Sequence, residues 1–167
     1  MKPWRQPAAG EVAKLRARHG AAPRRRGQPA ILRTEITAEH FHEKQRDTLP
    51  GRFGLVVTRI EEGRLDAEVA LQSWMMAPNG YLHAASVLLL ADTTAGYASL
   101  AHLPEGAKNF TTIELKSNFL GTVREGTIRA ECRAEHLGRT THVWSATVFG
   151  PADRKLALFR CTQMVLW

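Results

Sequence analysis

His83-Ala84-Ala85-Ser86-Val87-Leu88-Leu89-Leu90-Ala91-Asp92-Thr93-Thr94-Ala95-Gly96-Tyr97-Ala98-Ser99-Leu100 is the stretch on which the fold turns. From Ala84 onward it carries one charge, Asp92, and its apolar residues fall on nearly every side of a helix. A helix of that kind is either a membrane span or one wrapped by the rest of its domain. Residues 82–100 approach the length that crosses a bilayer, but Asp92 stands at the centre and Thr93, Thr94, Gly96 and Ser99 dilute the run. The expectation is therefore a buried core helix, with no membrane partner.

The flanking chain supplies what wraps it. Upstream, Thr37 is placed to cap a short helix with Glu39 and His40 in its first turn, running to about Asp47 and ended by Leu49-Pro50-Gly51. Residues 53–60 read as a strand, and Glu61-Glu62-Gly63-Arg64 as a hairpin turn. Leu65, Ala67, Val69 and Leu71 then alternate with Asp66, Glu68 and Gln72. A loop at residues 73–81 contains Pro78-Asn79-Gly80.

Downstream, four strands are expected at residues 108–120, 127–136, 140–149 and 156–167. The second puts Ile128, Ala130, Cys132 and Ala134 inside, and Arg129, Glu131, Arg133 and Glu135 outside. Gly138-Arg139 and Gly150-Pro151-Ala152-Asp153 are turns. No strand–helix–strand rhythm is present, so the sheet should be antiparallel. The order gives an α+β fold: one curled antiparallel sheet around a long central helix. Trp144 and Val148 are expected on the outer face of that sheet, which with an incompletely covered helix predicts a homodimer or homotetramer.

The chain has 167 residues, room for one ordinary domain, and its 44% hydrophobic and 23% charged content excludes a wholly disordered chain. Its net charge of +7 is unevenly placed. Residues 1–33 hold nine basic side chains against the single acid Glu11, so the remainder is close to neutral. Residues 1–35 read as a basic, unstructured extension and residues 36–167 as the domain. The extension lacks the apolar run of a secretory signal, so a cytoplasmic location is expected. Nucleic acid is expected to bind only non-specifically, through this tail. Cys132 and Cys161 have no metal-ligand spacing and read as packed core thiols, so neither a metal nor a cofactor is implied.

A carboxylate within an apolar helix is costly unless hydrogen-bonded, hydrated or raised in pKa, and that makes Asp92 a candidate for chemistry or for a satisfied structural contact. His83 opens the helix, and the first N–H groups, near Ala84 and Ala85, point along its positive end, where they can hold a carbonyl oxygen. Asp92 lies nine residues beyond His83, about 13 Å along the axis by rise. One carbonyl cannot touch both within a subunit, so a partner's helix must supply one of the two groups. His136 and His142 read as structural. Met75-Met76 either lines a pocket or plugs the core.

The run from Gly80 to Asp92, Gly80-Tyr81-Leu82-His83-Ala84-Ala85 followed by Ser86 to Asp92, resembles the G-x-x-H-G-G-(x)6-A-[DE] signature of hotdog-fold acyl-CoA thioesterases of the phenylacetate-degradation (PaaI-like) branch. Residues 113–120 and 136–141 resemble the same family's strands, and the match spans residues 36–167. The resemblance implies hydrolysis of an acyl-CoA or acyl-carrier thioester without a metal. It makes Asp92 the catalytic carboxylate, as general base or nucleophile. The Ala84 N–H would polarise the thioester carbonyl and His83 would shape the site. Gly80 and Asn79 would form the loop beside it, Thr93 and Thr94 would orient water, and Arg139 would meet the phosphates of coenzyme A. Two positions depart from the pattern. The family's H-G-G is His83-Ala84-Ala85, and the Asn or Gln common six residues before the His is Ala77. Those departures keep open a non-catalytic acyl-CoA-binding protein; a hydratase or dehydratase of the same fold is the other alternative.

Overall fold

The computed structural model describes residues 31–167. The expectations for residues 1–30 lie outside the described residues. Within the segment assigned to the extension, Leu32 already packs against the core and the Arg33 N–H donates to the Ala101 carbonyl at 2.8 Å.

Helix α1, Ala38–Gln45, starts where the sequence placed it: Thr37 is extended, and its hydroxyl accepts from the His40 N–H. Leu49-Pro50-Gly51 does not simply stop that helix. Pro50 sits in the first turn of a second one, α2, Leu49–Arg52, where a missing N–H does no harm. The chain leaves α2 through Phe53 and through Gly54 at φ +77°, so strand β1 begins at Val56.

Six strands form one antiparallel sheet: β1 Val56–Glu61, β2 Arg64–Ala70, β3 Asn109–Phe119, β4 Thr127–Leu137, β5 Thr141–Phe149 and β6 Lys155–Leu166. Their spatial order is β1-β2-β4-β5-β6-β3. After β2 the chain crosses the concave face as helix α3, Ala84–Ala101, and enters β3 at the far edge. Strands β4, β5 and β6 then fill the gap. The β1 edge is partly covered by α1, where His42 Nε2 accepts the Val57 N–H at 3.0 Å. The outer edge of β3 has no strand beside it among the described residues.

Helix α3 is long and apolar enough to cross a membrane, but it lies against the sheet instead. Ala91, Ala95 and Ala98 line its sheet side, and small residues let the backbone approach Leu65, Ala67, Ile128, Ala130 and Ala146 closely. Its other side meets α1: the Phe41 and Tyr97 rings stack with centroids 4.3 Å apart, and the Tyr97 hydroxyl donates to Gln45 Oε1.

The alternation in β2 and β4 is as expected, with Asp66 as the exception. It is buried, and Arg64 grips it through both carboxylate oxygens while Arg59 adds a longer contact. Strand β5 departs from the sequence expectation: Trp144 and Val148, expected on the outer face, are both 0% exposed and face α3. The physical reason is that β5 offers apolar residues on both faces, Trp144 and Val148 on one, Val143 and Phe149 on the other. The larger ring goes where its N–H finds a buried acceptor: Trp144 Nε1 donates to Ser99 Oγ at 2.7 Å.

Candidate active site

The donor end of α3 is built by a small hairpin. The Ala77 N–H donates to the Tyr81 carbonyl, the Gly80 N–H to the Ala77 carbonyl, and Gly80 takes φ +79°, which a residue without Cβ adopts freely. Asn79 Oδ1 accepts the Tyr81 N–H at 3.2 Å, so its side chain holds this turn. Leu82 is then tied to the Val123 carbonyl and His83 to the Met75 carbonyl. Ser86 clamps the same Met75 carbonyl with its hydroxyl at 2.9 Å. Met75 is buried and Met76 half-buried, so the first of the pair packs the core beneath the loop.

His83 is the N-cap of α3. Its Nδ1 accepts the Ala85 N–H at 3.0 Å. That divides the two N–H groups expected to be free: Ala85 is capped, and the Ala84 N–H has no partner among the described residues. The Ala84 donor is exposed at the positive end of an eighteen-residue helix. Because Nδ1 is an acceptor, the neutral His83 ring carries its proton on Nε2.

Asp92 lies mid-helix and is half-buried, close enough to β6 for its charge to act on Cys161. Its Oδ1 is shut off from solvent and has no hydrogen-bond partner among the described residues. Burial raises its pKa above the ordinary carboxylate value. The Asp92 charge and burial together push the Cys161 thiol, on β6, up to about 12, with burial the larger cause. The thiol is therefore inert as a nucleophile at neutral pH.

The two threonines differ. Thr94 is fully buried and its hydroxyl donates back to the Leu90 carbonyl at 2.6 Å, so it has no proton to offer a water beside Asp92. Thr93 is half-buried. Arg139 lies at the other end of the molecule, at the β4–β5 turn, its guanidinium 4.1 Å over the Trp167 ring, and Trp167 stands beside Gly106 past the C-terminus of α3. The cation beside the donor end is Arg124, 4.5 Å over the Tyr81 ring. No local pattern marks that pair, because Tyr81 and Arg124 are brought together by the Leu82–Val123 hydrogen bond between distant segments. Among the described residues no cluster of His, Cys, Asp and Glu could hold a metal ion.

Within one protomer the Ala84 N–H and Asp92 are separated along a straight helix by about 12 Å. The fold brings His83, Ala84, Gly80 and Asn79 together, and holds Asp92 apart from them on the flank toward β6 and β3.

Comparison with known proteins places this geometry. The thioesterase superfamily profile matches residues 79–157, from the hairpin before α3 to the start of β6. The proofreading thioesterase EntH of Klebsiella pneumoniae is 30% identical over 132 residues, covering 79% of this chain and 96% of that protein. A mutant thioesterase of Pseudomonas aeruginosa, 27% identical, superposes with a TM-score of 0.77 over 81% of this chain and 97% of its own. The PaaI protein of the Escherichia coli phenylacetic acid degradation operon shares the fold at 20% identity, with a TM-score of 0.70 over 78% of this chain and 91% of its own. The wrapped helix and antiparallel sheet are thus the hotdog fold, and the chain belongs to the thioesterase superfamily as a thioester hydrolase.

Proposed function

We propose that this protein hydrolyses acyl-CoA thioesters at a site shared between two protomers, with Asp92 as the working carboxylate. The observation that carries the reading is Asp92 itself: a half-buried carboxylate with an oxygen unpartnered among the described residues, midway along a helix whose N-terminus presents the Ala84 N–H. Desolvation makes it a stronger base than a surface carboxylate.

In the proposed step Asp92 takes a proton from water as the oxygen attacks the thioester carbonyl. The C=O electrons move onto oxygen, where the partner's Ala84 N–H and helix dipole stabilise the charge. Collapse breaks the C–S bond, and Asp92 returns its proton to the leaving thiolate. Free acid and free coenzyme A result.

The shared site follows from the helix separation and from the bare edge of β3. Ile113, Leu115 and Phe119 on that strand, and Leu158 and Met164 on β6 behind it, are all exposed. Pairing β3 with a second β3 would continue the sheet, shield the edge residues Ile113, Leu115 and Phe119 and set Asp92 of one copy beside the donor end of the other. Arg124, stacked on Tyr81 at the donor end and without a carboxylate partner among the described residues, is better placed than Arg139 for the coenzyme phosphates. Two buried free thiols suit a reducing cytoplasm.

Asp92→Asn tests the assignment. It keeps size and removes the base, so turnover of the best acyl-CoA, read as free thiol per folded molecule, should fall at least about 100-fold. Melting temperature should hold or rise, because a desolvated charge has gone. Turnover within threefold of the parent protein would end the assignment.

A further inference from the structure

Four buried side-chain atoms lack a hydrogen-bond partner among the described residues, and all four lie on one seam between α3 and the β5–β6 ladder: Asp92 Oδ1, His142 Nε2, Gln163 Oε1 and Gln163 Nε2. His142 and Gln163 are directly opposite across the ladder, and both are fully buried. Trp144 Nε1 donates to Ser99 Oγ, which leaves the Ser99 proton for His142 Nδ1, 3.2 Å away. That arrangement puts the His142 hydrogen on Nε2, the atom without a partner.

Gly96 joins this group to Asp92. A Cβ there would stand 3.9 Å from Gln163 Nε2. Asp92 is one helical turn earlier on the same face, where Cβ positions four residues apart are about 5–6 Å from each other. Two residues before Gln163, on the same face of β6, Cys161 feels the Asp92 charge. The order along the seam is Asp92, Gln163, His142, Ser99. Both kinds of group are present: two donors on the Gln163 amide nitrogen and one on His142, beside the Gln163 and Asp92 oxygens as acceptors. Buried groups in this condition are met by internal water, each molecule making about three hydrogen bonds.

We propose that Gln163 is a positioning residue for Asp92, acting through water held between them, with His142 as the far anchor of that water. The carboxylate is then fixed by its inner oxygen, and its outer oxygen is presented toward the β3 edge. Hydrogen bonds to the inner oxygen favour the ionised form and work against burial. The titratable groups around the seam are Cys161 from β6, His142 from β5, His102 at the end of α3, His136 of β4 and Glu114 of β3. This inference rests on Asp92 being the working carboxylate.

The test is a carbon-13 NMR titration of the Asp92 carboxyl in the full chain, beside Gln163→Met. Expected is an upward move of the Asp92 midpoint in the variant. The acid limb of kcat should move with it, and kcat near pH 6 should fall roughly tenfold with KM unchanged. A folded Gln163→Met protein with an unmoved Asp92 midpoint overturns the proposal. Should that variant fail to fold, the parent protein decides: magnetisation transfer from long-lived bound water to the Gln163 amide protons supports the proposal, and its absence overturns it. The titration needs no turnover, so the two readings fail separately. An active Asp92→Asn protein removes the catalytic assignment, whereas an unresponsive midpoint with an inactive Asp92→Asn protein removes only the role of Gln163.

Discussion

Lowering the pH from about 7 to about 4.5 is the perturbation to which His142 should be most sensitive. Its ring is fully buried under α3, beside Ser99 and opposite Gln163. Burial pushes it down from 6.5 to about 4, with His102 and His136 adding to the effect. The folded value is below the unfolded one, so between these two values the unfolded chain binds a proton that the native protein does not. The contribution to stability is complete above about 6.5, shrinks as pH falls and is gone near 4. Down to pH 4.5 the interval is about two units, or roughly 2.7 kcal/mol. His102, also lowered by burial, adds in the same direction. Asp92 opposes them: its folded value is raised, so protonation favours the native state as pH falls through that value. Urea unfolding at fixed protein concentration, near pH 7 and near pH 4.5, measures the sum, and His142→Gln isolates the imidazole. The variant should lose about 2 kcal/mol less than the parent on acidification. Equal losses in the two proteins would refute the assignment of acid sensitivity to this ring.

Two further outcomes follow from the packing. Ile113→Lys puts a charge on the exposed apolar stripe of the β3 edge, where Ile113 is 55% exposed. Sedimentation should show a folded monomer, and turnover should fall with association; an active monomer refutes the shared site. Trp144→Phe removes the donor to Ser99 and part of a fully buried ring, and should lower unfolding free energy by about 2–3 kcal/mol. A change below about 0.5 kcal/mol in urea unfolding would show that the Ser99 contact contributes nothing.

The sequence by itself determined the elements whose signal is local. Residues 84–100 had to be a core helix because their apolar content has no polar face, and β4 had to be a strand because Ile128, Ala130 and Cys132 alternate with Arg129, Glu131 and Arg133. Thr37 announced its cap, and Asp92 stood out because a lone carboxylate in such a helix needs a reason. Tertiary structure decided what depends on partners far along the chain. The order β5-β6-β3, which leaves β3 bare, rests on β3–β6 pairing between residues 38 to 57 apart in the chain, which no local pattern encodes. The facing of Trp144 was ambiguous because both sides of β5 are partly apolar, and the Ser99 hydroxyl on α3 chose between them. His83 took the Ala85 N–H and Leu90 took the Thr94 hydroxyl, so donors that look equivalent in sequence are not equivalent in space. Gln163 carries no sequence signal of its own, because an amide in an alternating strand reads as a solvent-facing residue. Only the register that sets it opposite His142 and beside Gly96 places it inside, where its hydrogen bonds must be met by something other than bulk water.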